Sequence, residues 1–489
     1  MFKTKMKTRY LLLLLVLFTF TGYSQTGFLN FLTYINSISD PVRKAEVADS
    51  FVNAHKLTGI PIKEGNMAVF LYKNTANTMS IAGDFTNWEP TVAMNKIVNT
   101  NLFYYFRTFE MNARLDYKLV VNGSTWILDP LNPRQCPGGF GPNSELAMPD
   151  YIQPWEISQR PGVPVGKLLS YSIPSTNTNS SFTIYVYLPA GYDSNSTKRY
   201  PAVYVQDGSD YLFLAQAPTV LDNAIDSGKI EPVIGVFVRP NNRNTEYAGD
   251  LRVQYAAFFA LELVPFIDAR YKTIPDKNKR LVLGDSFGGN ISAIISWNYP
   301  QIFANCGLHS GAFWPNDYEI YNTIVAGPKK DIKYYAIWGT YESLYPNMRS
   351  FRDSLILQGY QIYTKEFPEG HSWGLWRANT MNMISWFFPG APVAINDKVF
   401  SPNSFDVYQN SPNPFNPETK IVFQLPASGK TTLIVYDLSG KVIAELVNED
   451  LAAGYHSVIF QPGDVSSGIY LARLISGKRS KTIKLVYLK

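Results

Sequence analysis

Gly284-Asp285-Ser286-Phe287-Gly288 stands directly after the apolar run Leu281-Val282-Leu283, and Gly289 and a helix-like stretch follow it. A serine with glycines two positions away on either side can occupy a strained strand-to-helix turn, because those glycines let the chain double back without Cβ clashes. The pattern predicts a buried strand, a sharp turn, and a helix whose first N–H groups face negative charge developing at the serine. By itself G-x-S-x-G recurs by chance, and a structural glycine-rich turn is the competing reading.

The surrounding residues support the strand-turn-helix context. Short apolar runs at 200–206, 232–238, 281–283, 306–309 and 334–338 alternate with helical segments such as 256–271 and 348–357. Such alternation predicts a mostly parallel sheet covered on both faces, with ligand sites at the carboxyl ends of the strands. A chain of 489 residues exceeds one ordinary domain, and its pattern changes twice more. Residues 27–60 carry helical periodicity at Phe28, Phe31, Leu32 and Ile35 and again over 42–52. From Met67 onward, short runs at 67–72, 80–82, 102–106 and 115–121 have the spacing of a small β-sandwich. Residues 129–142, rich in Pro, Asn and Gly, break regular structure as a linker or packed loop. Beyond a Pro- and Asn-rich bridge, runs at 419–425, 432–436, 442–446, 455–461 and 469–474 form a second all-β module.

Lys3, Lys5, Lys7 and Arg9 precede the apolar run Leu11 to Phe20, and Gly22-Tyr23-Ser24 offers a small-residue cleavage site. These are the three parts of an export signal. The apolar run is about half of the roughly 20 residues that a spanning helix needs, so no transmembrane segment is expected in the mature chain. Removing those four cations brings the formal net charge of +5 to about +1, and no nucleic-acid footprint remains. Cys136 and Cys306 lie in different expected domains. Export permits a disulfide, but two distant positions rarely meet its geometry, so two free or buried thiols are expected. No cluster of Cys, His and carboxylates has metal-ligand spacing. The expected chemistry uses neither metal nor cofactor.

If Ser286 is a nucleophile, it needs a base and a carboxylate that orients the base. Of the four histidines, His55 lies in the N-terminal helical region and His456 in the C-terminal module. His371, in Glu369-Gly370-His371-Ser372-Trp373, follows the strand-like 361–367 and comes after the serine in chain order, as α/β-hydrolases require. The competing reading is a loop histidine packed on Trp373 and Trp376. His309 ends the strand after the serine helix and reads as a hydrogen-bonded strand-end residue. The acid should follow a strand between Ser286 and His371. Glu342, after 334–338, is best placed, and Asp353 on the helix-like 348–357 is the alternative. The oxyanion donors expected are the backbone N–H of Phe287 and that of Asp207 or Gly208.

Gly284-Asp-Ser-Phe-Gly-Gly289, Pro300-Gln-Ile-Phe303, Ser310-Gly-Ala-Phe-Trp314, Gly339-Thr-Tyr-Glu342 and Gly370-His-Ser-Trp373 occur in order. They resemble the landmarks of the putative-esterase family that contains enterochelin esterases and feruloyl and acetylxylan esterases. Arg243-Asn-Thr-Glu-Tyr247 looks like the Arg-x-x-Glu-Leu/Tyr segment of its enterochelin-esterase-like members. Either Arg243 contacts substrate in a cleft wall or it makes a structural ion pair; Trp373 is a second substrate-binding candidate. Many members carry Asp where this chain has Glu342. Ala82-Gly-Asp-Phe-Thr-Asn-Trp88, Tyr117-Lys-Leu-Val-Val-Asn-Gly123 and Leu128-Asp-Pro-Leu-Asn-Pro133 are similar to the early-set immunoglobulin-like domain that precedes such esterases, with Trp88 read as core. Ser411-Pro-Asn-Pro-Phe-Asn-Pro417, Val435-Tyr-Asp-Leu-Ser-Gly440, Gly468-Ile-Tyr-Leu-Ala-Arg473 and a basic tail at 478–484 look like the sorting domain of the type IX secretion system.

Together these imply an α/β-hydrolase fold flanked by an N-terminal immunoglobulin-like β-sandwich and a C-terminal β-sandwich sorting domain. The expected parts are a signal peptide (1–24), a helical segment (25–64), the early-set domain (65–150), the esterase domain (165–390), a linker (391–410) and the sorting domain (411–489). The resemblance implies an exported serine carboxylesterase, delivered outside the cell or onto its surface by type IX secretion. Its substrate is expected to be a feruloyl or acetyl ester on a plant polysaccharide, with a siderophore trilactone as the alternative. A catalytically silent surface protein that binds glycan is the alternative of another class.

Overall fold

A computed structural model describes residues 27–56, 59–390, 405–407, 410, 413–452 and 454–489. The expected signal peptide and most of the expected linker lie outside these residues. The chain divides into two compact units after Pro392.

The first unit opens with helices Phe28–Ser37 and Pro41–Lys56. Ten strands follow: β1 (Ile62–Glu64), β2 (Met67–Lys73), β3 (Met79–Gly83), β4 (Val92–Ala93), β5 (Asn95–Lys96), β6 (Leu102–Thr108), β7 (Arg114–Val121), β8 (Thr125–Ile127), β9 (Gln135–Cys136) and β10 (Asn143–Ala147). One sheet has the order β1-β2-β6-β5; the other runs β4-β3-β7-β10-β9, with β8 beside β7. Their facing sides share a core that includes Phe70, Ile81, Phe103, Leu115, Tyr117 and Leu146. The outer side of the first sheet, at Val69, Leu71 and Leu102, is covered by Phe28, Phe31, Ile35 and Phe51 of the two helices. Burial on both faces explains why β2 is a continuous apolar run and not an alternating one. Because β1 pairs with β2, the sheet begins before the expected boundary at 65. The segment 129–142 is a packed loop. Tyr117 Oη donates to the buried Asp129 at 2.6 Å, and β9 pairs with β10.

The rest of the unit is built on β11 (Lys167–Ser175), β12 (Ser180–Leu188), β13 (Ala202–Val205), β14 (Ile234–Val238), β15 (Arg280–Asp285), β16 (Asn305–His309), β17 (Lys333–Gly339) and β18 (Ile362–Phe367). These form one sheet in the order β11-β12-β14-β13-β15-β16-β17-β18. Only β11 and β12 run antiparallel to their neighbours; from β14 to β18 every pairing is parallel. The result is a mixed, mostly parallel sheet of the α/β class. The β11–β12 pair was not anticipated, because its first strand is largely exposed and carries no apolar run. Along β15, Val282 faces one helical layer and Leu281 and Leu283 the other, so each side of the sheet has its own core.

The second unit has sheets β19-β20-β23 and β22-β21-β24-β25, formed by β19 (Asp406–Val407), β20 (Thr419–Leu425), β21 (Gly429–Asp437), β22 (Val442–Leu451), β23 (Gly454–Phe460), β24 (Gly468–Ser476) and β25 (Arg479–Tyr487). Ile421, Phe423 and Leu425 from one sheet share a core with Leu433, Val435, Ala472, Leu474 and Leu485 from the other. Within the expected basic tail at 478–484, Lys478 lies in a turn and Arg479 opens β25, which pairs with β24 along its whole length. Its lysines and arginine are exposed while Leu485 and Tyr487 reach the core.

Phe31 is 1% exposed and stacks on Phe51 with centroids 3.6 Å apart. Phe31→Ala should cost the first unit about 3 kcal/mol, read as a lower urea midpoint by circular dichroism.

Candidate active site

β15 ends at Asp285, and Ser286 then adopts φ 53°, ψ −118° before the helix Phe287–Asn298. Non-glycine residues rarely enter this region, so the surrounding structure must hold it. Ser286 N–H donates to His309 O at 2.9 Å, while Ser286 O accepts from Gly289 N and Ala312 N, each at 3.0 Å. The motif glycines answer to close backbone approach. A Cβ on Gly284 would lie 2.5 Å from the carbonyl of Gly288, and one on Gly289 would lie 2.9 Å from Gly311 Cα.

β17 leads into Gly339-Thr340-Tyr341-Glu342. The buried Glu342 accepts a 2.8 Å bond from Gly339 N–H through Oε1. Its Oε2 meets Nδ1 of His371, on the loop after β18. The His371 side chain is 34% exposed, and its ring stands edge-on to Trp376 at 4.9 Å. The other candidates fall away from this pair. Asp353 is exposed and pairs with its neighbour Arg352. His309 is fully buried and shares a 2.8 Å bond with Tyr211 Oη; burial holds its pKa down to about 3, so it is a neutral strand-end residue. Cys136 and Cys306 are buried and unpaired.

Ser286, His371, Trp373 and Arg243 line one cavity of about 570 Å3. No hydrogen bond joins Ser286 to His371 among the described residues. The Phe287 N–H heads its helix, where the first amides have no intrahelical acceptor. Asp207 is overturned as a backbone donor, because its N–H is taken by Tyr247 Oη at 2.9 Å. Gly208 N–H, first of the helix Gly208–Phe213, has no intrahelical acceptor. Arg243 is an ion-pair partner and a cavity wall at once. Its Nε donates to both Asp207 oxygens at 2.9 and 3.0 Å, and Nη2 donates to Asp285 O at 3.1 Å. Burial and the nearby Asp207 carboxylate push the Asp285 carboxyl well above the usual range.

The N-terminal strands supply the far wall of the cavity with Trp88, Asp116, Lys118, Trp126 and Phe140. Trp88 is therefore not core as expected. It is half-buried, and its Nε1 donates to Asp84 at 3.0 Å. Phe140 is fully exposed within Gly138-Gly139-Phe140-Gly141, and an aromatic isolated among glycines was the available signal for it.

The likeness to known proteins follows these boundaries. Residues 175–387 match the family model described as Putative esterase. Residues 408–488 match that of the Secretion system C-terminal sorting domain. An uncharacterized Bacillus subtilis protein, YjcH, is 32% identical to the chain over 141 residues, 28% of this chain and 58% of YjcH. An endo-1,4-beta-xylanase/feruloyl esterase of Xylanibacter ruminicola is 30% identical over 157 residues, 30% of this chain and 22% of that protein. The chain thus spans less than two thirds of either relative. The crystal structure of the enterobactin esterase of Shigella flexneri superposes with a TM-score of 0.56 at 19% identity, covering 66% of this chain and 92% of that one. The superposition is wider than the esterase segment.

Glu369, two residues before His371, is buried, and desolvation pushes its carboxyl from 4.5 up to about 8 against the opposing pull of Arg114. A raised carboxyl pKa means that the folded state holds a proton which the unfolded chain releases. Stability of the first unit should therefore fall as pH rises from about 4.5 to about 8. Glu369→Gln should flatten that slope in urea midpoints measured across the window.

Proposed function

We propose that the chain is an exported serine carboxylesterase working by acyl transfer. The observation that carries this reading is the Glu342–His371 contact at Nδ1, which leaves Nε2 for a serine hydroxyl in the same cavity. Ser286 Oγ attacks the ester carbonyl and passes its proton to His371 Nε2. Glu342 holds the Nδ1–H and stabilises the imidazolium. The N–H groups of Phe287 and Gly208 meet the oxyanion. His371 then protonates the departing alcohol and later activates the water that frees the acyl group and restores Ser286. Ser286 and His371 need to close to hydrogen-bond reach for the first step, a tightening that substrate commonly completes. Export is supported by the expected signal peptide and by the match to a secretion sorting domain. We read the N-terminal strands as an early-set module that forms part of the active-site rim, and type IX secretion as the route.

The cavity's chemistry favours a neutral substrate with a flat face. Trp88, Trp126, Phe140 and Trp373 offer rings, and among the described residues the cations lining it are Lys118 and Arg243. Arg243 is already committed to Asp207 and Asp285. A ferric catecholate trilactone is multiply anionic and would find Arg243 already neutralised by Asp207, so feruloyl or acetyl esters of plant polysaccharides fit better. The xylanase/feruloyl esterase likeness points the same way. The Arg243 segment favours the trilactone as the second reading. A silent glycan-binding protein would have no use for the Glu342–His371 pair.

Ser286→Ala should lower kcat on a short activated ester by about a thousandfold or more and abolish labelling by a fluorophosphonate. Full labelling of that variant would rule out Ser286. Glu342→Ala should lose far more kcat than Asp353→Ala. Rates on methyl ferulate, acetylated xylan and a catecholate trilactone then rank the substrates.

A further inference from the structure

Arg114, the first residue of β7, is fully buried, yet the chemistry proposed above gives it no task. Its guanidinium donates through Nη2 to Asp116 at 2.6 Å, through Nε to Glu145 at 3.0 Å and through Nη1 to Ser372 Oγ at 3.0 Å. The first two acceptors belong to its own sheet; Ser372 is next to His371. The Arg114 backbone also reaches across. Its N–H donates to Pro368 O at 3.1 Å, and Arg114 bridges in parallel to Glu369. The loop between β18 and the helix Trp373–Phe387 is thus pinned at the N-terminal end of β7, an interior strand of the N-terminal sheet.

Packing at the seam leaves no slack. A Cβ on Gly374 would lie 2.0 Å from Arg114 Cζ, and one on Gly370 would lie 2.0 Å from Asp84 Cγ. Asp84 is held in turn by the N–H of Asp116 at 2.7 Å. The acid's loop is caught at the same seam. Tyr341 Oη donates to Glu110 at 2.7 Å, Tyr341 N–H donates to Glu369 O at 3.0 Å, and a Cβ on Gly339 would lie 2.0 Å from Glu369 O. Glu369 faces Arg114 at 4.0 Å, and Arg377 faces Glu145 at 3.6 Å, so the polar groups around the guanidinium come from both sides of the seam.

We propose that Arg114 is a positioning residue for the base: from the N-terminal module it fixes segment 368–372, and through it the alignment of His371 with Glu342 and Ser286. The N-terminal strands are then a working part of the catalytic site and not a detachable accessory. This rests on His371 being the base. Arg is suited to the task because its planar fork serves three acceptors at fixed angles, which a lysine ammonium on a flexible stem cannot.

The test uses the full chain and a short activated ester. Ser372→Ala removes the contact next to the base while leaving the Arg114–Asp116–Glu145 cluster intact, and should lower kcat about tenfold with KM within about twofold, because small misplacements of reacting groups cost rate and not binding. Arg114→Lys keeps the buried charge but loses the fork; it should fold and lower kcat by about a hundredfold. If Arg114→Lys does not fold, Ser372→Ala decides. Unchanged kcat in a folded variant, or a loss carried by KM, overturns the proposal. His371→Ala, measured alongside, separates the two readings: activity retained there overturns the base assignment itself, whereas an inactive His371→Ala beside a fully active Ser372→Ala overturns only the role of Arg114.

Discussion

Everything at the candidate site depends on the parallel alignment of β15, β16, β17 and β18. Their register sets Leu283 beside Gly307, Gly307 beside Tyr335 and Tyr335 beside Tyr363, so all four strands end at one edge. Parallel neighbours release their following loops on the same side, and Ser286, Glu342 and His371 each stand on one of those loops. A slip of one residue in β15 would turn Val282 and Leu283 toward the wrong helical layers, so the two cores police the register that brings the site together.

Within that frame the elbow is held by backbone, not by side chains. Ser286 is fixed in an unfavourable conformation through its N–H and carbonyl, and Gly284 and Gly289 are present because neighbouring backbone passes where a Cβ would sit. The carboxylates beneath it follow a different logic. Asp207 and Asp285 are buried beside the half-buried Arg243, and burying an unpaired carboxylate would be costly. Arg243 offsets that cost and at the same time removes itself as a free cation for an anionic ligand.

The cavity is shared property. Its floor comes from the central sheet, but Trp88, Lys118, Trp126 and Phe140 come from strands and loops that precede β11 by tens of residues in the sequence. Arg114 on β7 and Glu110 on the loop before it touch the loops of His371 and Glu342. One physical body therefore shapes the cavity wall and holds the loops of His371 and Glu342. The superposition on the enterobactin esterase covers 66% of the chain, more than residues 175–387.

The local features were legible in the chain itself. The five apolar runs of the sheet, the glycines of the elbow and the chain order of Ser286, Glu342 and His371 all follow from short-range sterics and from the period of strand and helix. The strands of both β modules follow similarly, because alternating or continuous apolar runs report how many faces are buried. What the chain could not disclose depends on partners far away in sequence. Nothing near Asp207 says that Tyr247 Oη will take its N–H, and nothing near Trp88 says that it will face a cavity. The basic residues at 478–484 read as a tail until β25 pairs with β24. Arg114 looks like an ordinary strand-end cation, and only folding surrounds it with Asp116, Glu145 and Ser372. Hydrogen bonds and ion pairs across 31 and 258 residues have no periodicity to betray them, so tertiary structure alone decided which polar groups meet.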